Sequence, residues 1–320
     1  MSVAVCLLIY SVAVAVLCPA PLARLTASGT APRLGAAAWL AAMISVPLSW
    51  LVAAIYAGRA VIAQGPRGAV SSCVGALHGV ALGRYGVASQ VVLLLVTLVA
   101  AATVGVLAVR LARLLVRARR QTHRHAAAAR MIGERVTRLR LRPDAVVLDC
   151  PERAAYCVAG RPNTIVVTTA ALEVLDEPQL SAVLAHEGAH LAGRHHPILA
   201  FTRALAAVLP RLAVCTRGAT EVARLLEMCA DDAAARRTSG PIVASALLAL
   251  AERPTTPAAA LGATGLDVVG RTDRLLSPPR RVNRAMARLT TSGAVAMLAG
   301  GPALITLLAL SGATFCSPIS

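Results

Sequence analysis

Asp176-Glu177-Pro178-Gln179 opens, and His186-Glu187-Gly188-Ala189-His190 closes, one apolar run whose reading decides the rest of the chain. Asp176 can cap free backbone amides, Pro178 suits a first turn, and Gln179 completes a capping-box-like pattern. Leu180, Val183 and Leu184 continue the helical spacing, and Gly193, ahead of Pro197, marks its end. On that helix His186 and His190, four apart, share a face. Two imidazoles so placed can grip one metal ion, with Glu187 beside them as a base. A catalytic zinc takes three protein ligands and keeps one position open for water. The chain has only seven histidines and eight glutamates, so composition alone does not account for the pattern. The plainer alternative is a buried histidine pair with structural partners.

In sites of the gluzincin type the third ligand is a glutamate from a second helix well downstream. Glu221 and Glu227 are the glutamates of the next helical segment, Glu221 to Arg237. Glu227 is preferred because Asp231 follows one turn later on the same face. Glu227 then binds zinc while Asp231 hydrogen-bonds the far nitrogen of a ligand histidine, fixing its tautomer. The competing role for Glu227 is a surface ion pair with Arg224. Asp232 is a less well-placed substitute for Asp231. Cys229 lies roughly 200° around the helix from Glu227, which favours packing over ligation. If the metal helix persisted, His195 would lie opposite the ligand face and His196 well off it, so neither is expected to bind metal. Arg281 is a weak candidate to reach the site from the following segment. No residue is assigned to oxyanion stabilisation.

The 320 residues are 57% hydrophobic and 15% charged, which calls for membrane spans. Four stretches have the length and lack of charge to cross: about Ser2 to Leu17, Leu34 to Ala57, Val87 to Val109 and Thr291 to Leu310. The first has no positive charge before its apolar core, and Cys18-Pro19-Ala20-Pro21 is a poor cleavage context, so an uncleaved span is expected over a secretion signal.

The net charge of +17 comes from arginine alone, as no lysine is present. Nucleic acid would be the usual suspicion, but aromatics make up 2% and no stacking platform or recognition module is visible. The arginines flank spans instead. Eleven fall between Arg110 and Arg142, and Arg271, Arg274, Arg280, Arg281, Arg284 and Arg288 lead into the fourth stretch. Positive flanks stay inside and bind anionic headgroups, which puts everything between spans three and four in the cytoplasm. Arg59, Arg67 and Arg84 in the outer loop oppose this, but eleven outweigh three. The eight cysteines give no framework: Cys73 and Cys316 fall outside and could pair, and no disulfide is assigned.

After the third span a basic helix is expected from Arg110 to about Leu141, either along the membrane surface or as a solvated linker. Three short strands follow: Ala145 to Leu148, Ala155 to Val158 and Thr164 to Thr168, the last two joined by a turn at Gly160-Arg161-Pro162-Asn163. A small sheet there can offer an edge strand to an extended peptide, or be purely structural. Ile198 to Val214 is apolar but carries Arg203, Pro210 and Arg211, so it is expected to pack on the core or membrane surface rather than cross.

Ala185-His186-Glu187-Gly188-Ala189-His190, Arg194-His195-His196 and Glu227-x-x-Ala230-Asp231 resemble the integral-membrane zinc peptidases of the BlaR/MecR-type β-lactam-sensor family. Three spans, a cytoplasmic zinc domain and a fourth span are a similar layout, covering about Ser2 to Leu310. The zinc motifs are shared with wider gluzincins, including the HtpX-like and prenyl-protein-processing types. Those sensors carry an outer penicillin-binding domain after span four. This chain ends about ten residues beyond it, so no such sensor domain is expected.

The expectation is a mainly α integral-membrane protein with a cytoplasmic α+β gluzincin-like peptidase domain between the third and fourth of four transmembrane helices. Its parts are a three-helix membrane region at 1–109, a basic juxtamembrane helix at 110–142, the zinc domain at 143–288, and the fourth helix and short outer tail at 289–320. One zinc ion per chain, held by His186, His190 and Glu227, would serve peptide-bond hydrolysis with Glu187 as base and Asp231 behind a histidine. The partners expected are a protein or peptide substrate, with a transcriptional repressor as one candidate, and the lipid bilayer, without direct nucleic acid. Quality-control proteolysis and a non-catalytic zinc scaffold or receptor are the alternatives.

Overall fold

The computed structural model describes residues 3–70, 87–132, 134–135, 145–160, 163–251, 263–277 and 281–310. Helix α1 (Val3–Leu17) runs into α2 (Pro19–Thr26), followed by α3 (Pro32–Val70) and α4 (Val87–Ile132). Strands β1 (Glu134–Arg135), β2 (Ala145–Leu148), β3 (Ala155–Val158) and β4 (Thr164–Thr168) come next. The remaining helices are α5 (Thr169–Val174), α6 (Glu177–Ala192), α7 (His195–Val208), α8 (Ala213–Ala235), α9 (Gly240–Ala251), α10 (Ala263–Leu276) and α11 (Arg281–Leu310). The described residues are mainly helical, with one small sheet.

Among the described residues, two helices are long and apolar enough to cross a membrane, Pro32–Tyr56 within α3 and Val282–Leu308 within α11. The α1–α2 pair, bent by 52° where Pro19 interrupts the run, adds a third if it acts as one broken span. The expected third span is helical along Val87 to Val109, but the side chains of its first half lie outside the described residues. So do Cys73, Cys316, Arg84 and the turn residues Arg161 and Pro162. The last helix starts at Arg281, ten residues before the expected apolar stretch, because Ala, Met and Arg sustain helix as well as the span does.

The basic helix is shorter than its charge pattern implied. It stops at Ile132, and Glu134–Arg135 pair antiparallel with β2 (Glu134↔Val147), where the sequence reading carried helix on to about Leu141. An open strand edge on β2 outbids a solvent-exposed helical turn, since it satisfies backbone groups against a packed element. Strand order is β1-β2-β4-β3. The β2–β4 pair is parallel and the β3–β4 hairpin antiparallel, with Ala155 opposite Val167. All five residues of β4 are buried, as expected of a β-branched run flanked on both sides. That leaves β3 at the sheet edge, beside α6.

Among the described residues several apolar clusters hold the helices in place, and the two largest position the site. In the larger, Trp39, Met43 and Val46 of α3 pack on Val214, Val222 and Leu225 of α8, with Leu205 and Leu298 joining. Gly218 lets α8 approach α3, since a side chain there would press on Met43 and Trp39. The buried Trp39 indole donates to Thr26 Oγ1 at 3.2 Å, so its polar edge is satisfied. In the smaller cluster, Leu180 and Val183 of α6 meet Ile165 and Val167 of the sheet and Ala246 of α9. Helix α6 is thereby fixed between sheet and α9, and α8 is fixed against α3. The apolar segment from Ile198 forms α7, breaks at Pro210 and turns back into α8, packing on the core by Leu205 and Val208.

Candidate metal centre

Helix α6 begins with a complete capping box. Asp176 accepts from Gln179 N at 2.8 Å, and Gln179 Oε1 accepts from Asp176 N at 3.1 Å. Helical spacing then sets His186 and His190 on the buried side, and Glu187 half-buried beside them. From α8, Glu227 reaches the same point, and these three are the group able to hold a metal among the described residues. The two Nε2 atoms lie 3.1 Å apart, with Glu227 oxygens 3.4 Å from His186 and 3.5 Å from His190. Ligands about 2.0–2.1 Å from a tetrahedral zinc would be roughly 3.3 Å from one another. The donor set therefore fits a zinc-sized cation.

Arg224 does not compete for Glu227. It pairs with Glu221 at 2.8 Å and donates to the Thr26 and Ala27 carbonyls at the end of α2.

Asp231 is fully buried behind His186, with Oδ1 3.1 Å from Nδ1. That approach is an ion-pair distance without an aligned hydrogen bond, because the ring N–H does not point along it. The stronger hold on Asp231 comes from Arg271 of α10, whose Nε and Nη2 donate to Oδ2 and Oδ1 at 2.8 and 2.7 Å. The third arm of Arg271, Nη1, lies 3.3 Å from Glu227 Oε2. A buried bidentate pair of this kind fixes both partners rigidly. The sequence reading placed Arg271 among the membrane-flanking charges and looked to Arg281 for reach into the site. The structure puts Arg271 there, while the Arg281 side chain lies outside the described residues. The neighbouring Asp232 turns the other way, to Arg274.

His195 also departs from its expected place. Helix α6 ends at Gly193, and Arg194 takes a left-handed conformation (φ 51°) that turns the chain before α7. His195 is therefore buried against His190, Nδ1 to Nδ1 at 2.9 Å, rather than opposite the ligand face. Gly193 has no side chain because one would collide with the His195 ring. His196 turns to the sheet edge, its Nε2 3.0 Å from the Cys157 carbonyl.

The electrostatics are those of an anionic cradle. Burial disfavours the charged imidazole of His186, but Asp231 and Glu227 outweigh it and raise its pKa to about 9. Burial likewise opposes ionisation of Glu227, yet the two histidines and Arg271 hold its carboxyl far below the usual range. Asp231 is also lowered, against its burial, by Arg271 and His186. His195 falls to about 4, first through burial and then through repulsion from His190, so it is neutral at physiological pH and able to accept or donate. Burial and the nearby Glu187 push the Cys157 thiol well above its ordinary value, which disfavours the thiolate a zinc ligand would need.

The open side of the cluster faces a cleft of about 180 Å³ lined by Glu187, Glu227 and Arg271, with Ala155 of the edge strand and Val243 and Leu250 of α9. A chain lying in it would have a sheet edge on one side and the metal ligands on the other.

A family model described as Peptidase family M48 matches residues 118–250. The match takes in the sheet, both histidines, Glu187, Glu227 and Asp231, and stops short of Arg271. No curated protein and no solved structure matches the chain. Peptidases of that family depend on a metal, usually zinc, and the match together with the three-residue cluster supports a metallopeptidase.

Proposed function

We propose that this chain is a membrane-bound zinc endopeptidase that hydrolyses peptide bonds of protein substrates at the cytoplasmic face. One observation carries the reading. Three donors of the right kind converge at tetrahedral spacing, and among the described residues no fourth donor joins the group, while Glu187 stands at the cleft beside it. A structural zinc is closed by four protein ligands, whereas a hydrolytic one keeps a position for water.

His186, His190 and Glu227 would hold the ion, which when bound acidifies water and polarises a carbonyl oxygen. Glu187 takes the proton of the attacking water and returns it to the leaving amine. Arg271 and Asp231 keep Glu227 and His186 aimed, and His195 does the same for His190. The β3 edge can receive the substrate backbone by strand addition, with α9 supplying apolar contacts.

The cytoplasmic orientation rests on the arginine-rich second half of α4 and the arginines before and in the first turns of α11, by the positive-inside tendency. The span order expected from the sequence, three apolar stretches before the zinc domain and one after it, favours the finer resemblance to the β-lactam-sensor layout, with processing of a regulatory protein as the role.

Glu187→Gln is expected to keep stoichiometric zinc while losing on the order of 10² or more in turnover. Comparing membrane and cytoplasmic proteomes of wild type and this variant would expose substrates as accumulated full-length proteins. Undiminished cleavage by Glu187→Gln would sink the catalytic assignment.

A further inference from the structure

Beyond the peptidase site, on another side of α8, lies a second and larger cavity of about 850 Å³. Among the described residues, Arg33 from α3, Arg236 from the end of α8, Arg274 from α10, and Arg284 and Arg288 from α11 line it, against the single acid Asp232. These five positive groups and one negative give the described lining a strong positive excess in one concavity. Arg274 is taken up by Asp232 and by the Gly29 carbonyl, 3.1 Å from its Nε, so it also braces the wall. Two further positive contributions point the same way. The first turns of α3, at Thr30 to Leu34, and of α9, at Gly240 and Pro241, border the cavity, and helix N-termini favour anions.

The walls are fixed. Gly29 adopts φ 58° and fits against Met228 and Arg274, and Gly240 abuts the Leu275 carbonyl with no room for a side chain. A flank of solvated arginines would satisfy the membrane-side charge rule without being gathered from four elements into one hollow. Guanidinium groups are suited to bidentate contact with phosphate oxygens. Leu34, Ala235 and Leu276 add apolar surface at the same cavity, which suits a phosphate carried on an apolar body.

We propose that this cavity binds a phosphate-bearing anion, and that the anion ties α3 and α11 to the α8–α10 pair. Asp232 is adjacent to Asp231, and Arg274 follows Arg271 by one turn, so the ligand bears on the same helices that hold the metal cradle. Two sources share the required chemistry, an anionic phospholipid headgroup at the foot of α3 and α11, or a soluble phosphate.

The test uses the full chain in neutral detergent, followed by thermal unfolding and native mass spectrometry. Dihexanoyl phosphatidylglycerol, dihexanoyl phosphatidylcholine and inorganic phosphate are added separately to wild type, Arg33→Gln/Arg288→Gln and the control Arg113→Gln/Arg117→Gln, whose arginines are exposed on α4. The phosphatidylglycerol should raise the wild-type midpoint on the order of 5 °C at ~100-fold above its Kd, with phosphatidylcholine giving no comparable shift. The control should keep that shift and the cavity variant should lose most of it. An equal shift by inorganic phosphate assigns the site to soluble phosphate; a shift confined to phosphatidylglycerol assigns it to lipid. Should the double variant unfold, Arg33→Gln and Arg288→Gln are read singly by the number of phosphatidylglycerol molecules they retain. Equal shifts in cavity variant and wild type, equal loss in the control, or no shift with any anion would overturn the proposal.

Discussion

Helix α8 has two faces of opposite character within one diameter. Along one, Gly218, Val222 and Leu225 pack on α3, where Trp39 and Met43 are wholly buried. Along the other, Glu227 and Asp231 meet two histidines and an arginine. The apolar face is held by non-directional burial, where total volume matters more than the identity of any one contact. The charged face is held by directional pairs, each of which neutralises a group that would otherwise be buried alone. The first face therefore sets whether α8 is in place, and the second sets whether a metal can bind there.

The largest break in that division should come from Trp39→Ala. Loss of the indole leaves a cavity between α3 and α8 and should cost roughly 3–5 kcal/mol in unfolding free energy. Zinc stoichiometry in the folded fraction should stay at the wild-type value. A loss of zinc without loss of stability would show that the two faces are not separable.

Arg271→Gln attacks the charged face. It strands the buried Asp231 carboxylate and should cost about 3 kcal/mol, with zinc affinity weakened 10- to 100-fold in a chelator competition. Unchanged affinity would remove Arg271 from the metal cradle and leave it a structural ion pair only.

A smaller effect is expected from His195→Ala, which removes the partner of His190 Nδ1 but no ligand. Zinc affinity should fall about tenfold while the unfolding midpoint moves little, and His195→Asn should restore part of the affinity. Equal behaviour of the two variants would mean that His195 only fills space.

The smallest is Asp176→Ala, at about 1 kcal/mol, since it removes one capping contact at the far end of α6. Zinc affinity should not change, and a measurable fall would show that the start of the helix controls its metal end.

The parts legible in the sequence are those fixed by near neighbours. The three strands from Ala145, Ala155 and Thr164 fall where the short β-like runs placed them, and the Asp176–Gln179 box forms as its spacing implied. Two of the apolar stretches, near Leu34 to Ala57 and Thr291 to Leu310, lie in helices able to cross a membrane. The misplacements have a common cause. Arg271 had the same signature as its neighbours Arg274 and Arg284, a positive charge ahead of an apolar helix. Nothing local distinguishes the one that reaches the metal cluster. His195 could be placed only by extending α6, and the reversal at Arg194 made that extension wrong. The end of α4 at Ile132 depended on β2 offering a free edge, which is a property of the folded sheet.

By itself, the sequence determined a helix with two histidines on a shared face and a glutamate beside them, a downstream acidic pair, and a chain apolar enough for membrane helices. Those follow from periodicities of two and 3.6 residues and from caps, all of which act over a few positions. Tertiary structure alone decided that Glu227 meets the histidines at ligand spacing, that Arg271, 40 positions beyond Asp231, clasps it, and that five arginines share one cavity. Such meetings depend on how α8 seats on α3 and α10 on α8, and that seating is set by the shape of packed side chains rather than by any local pattern.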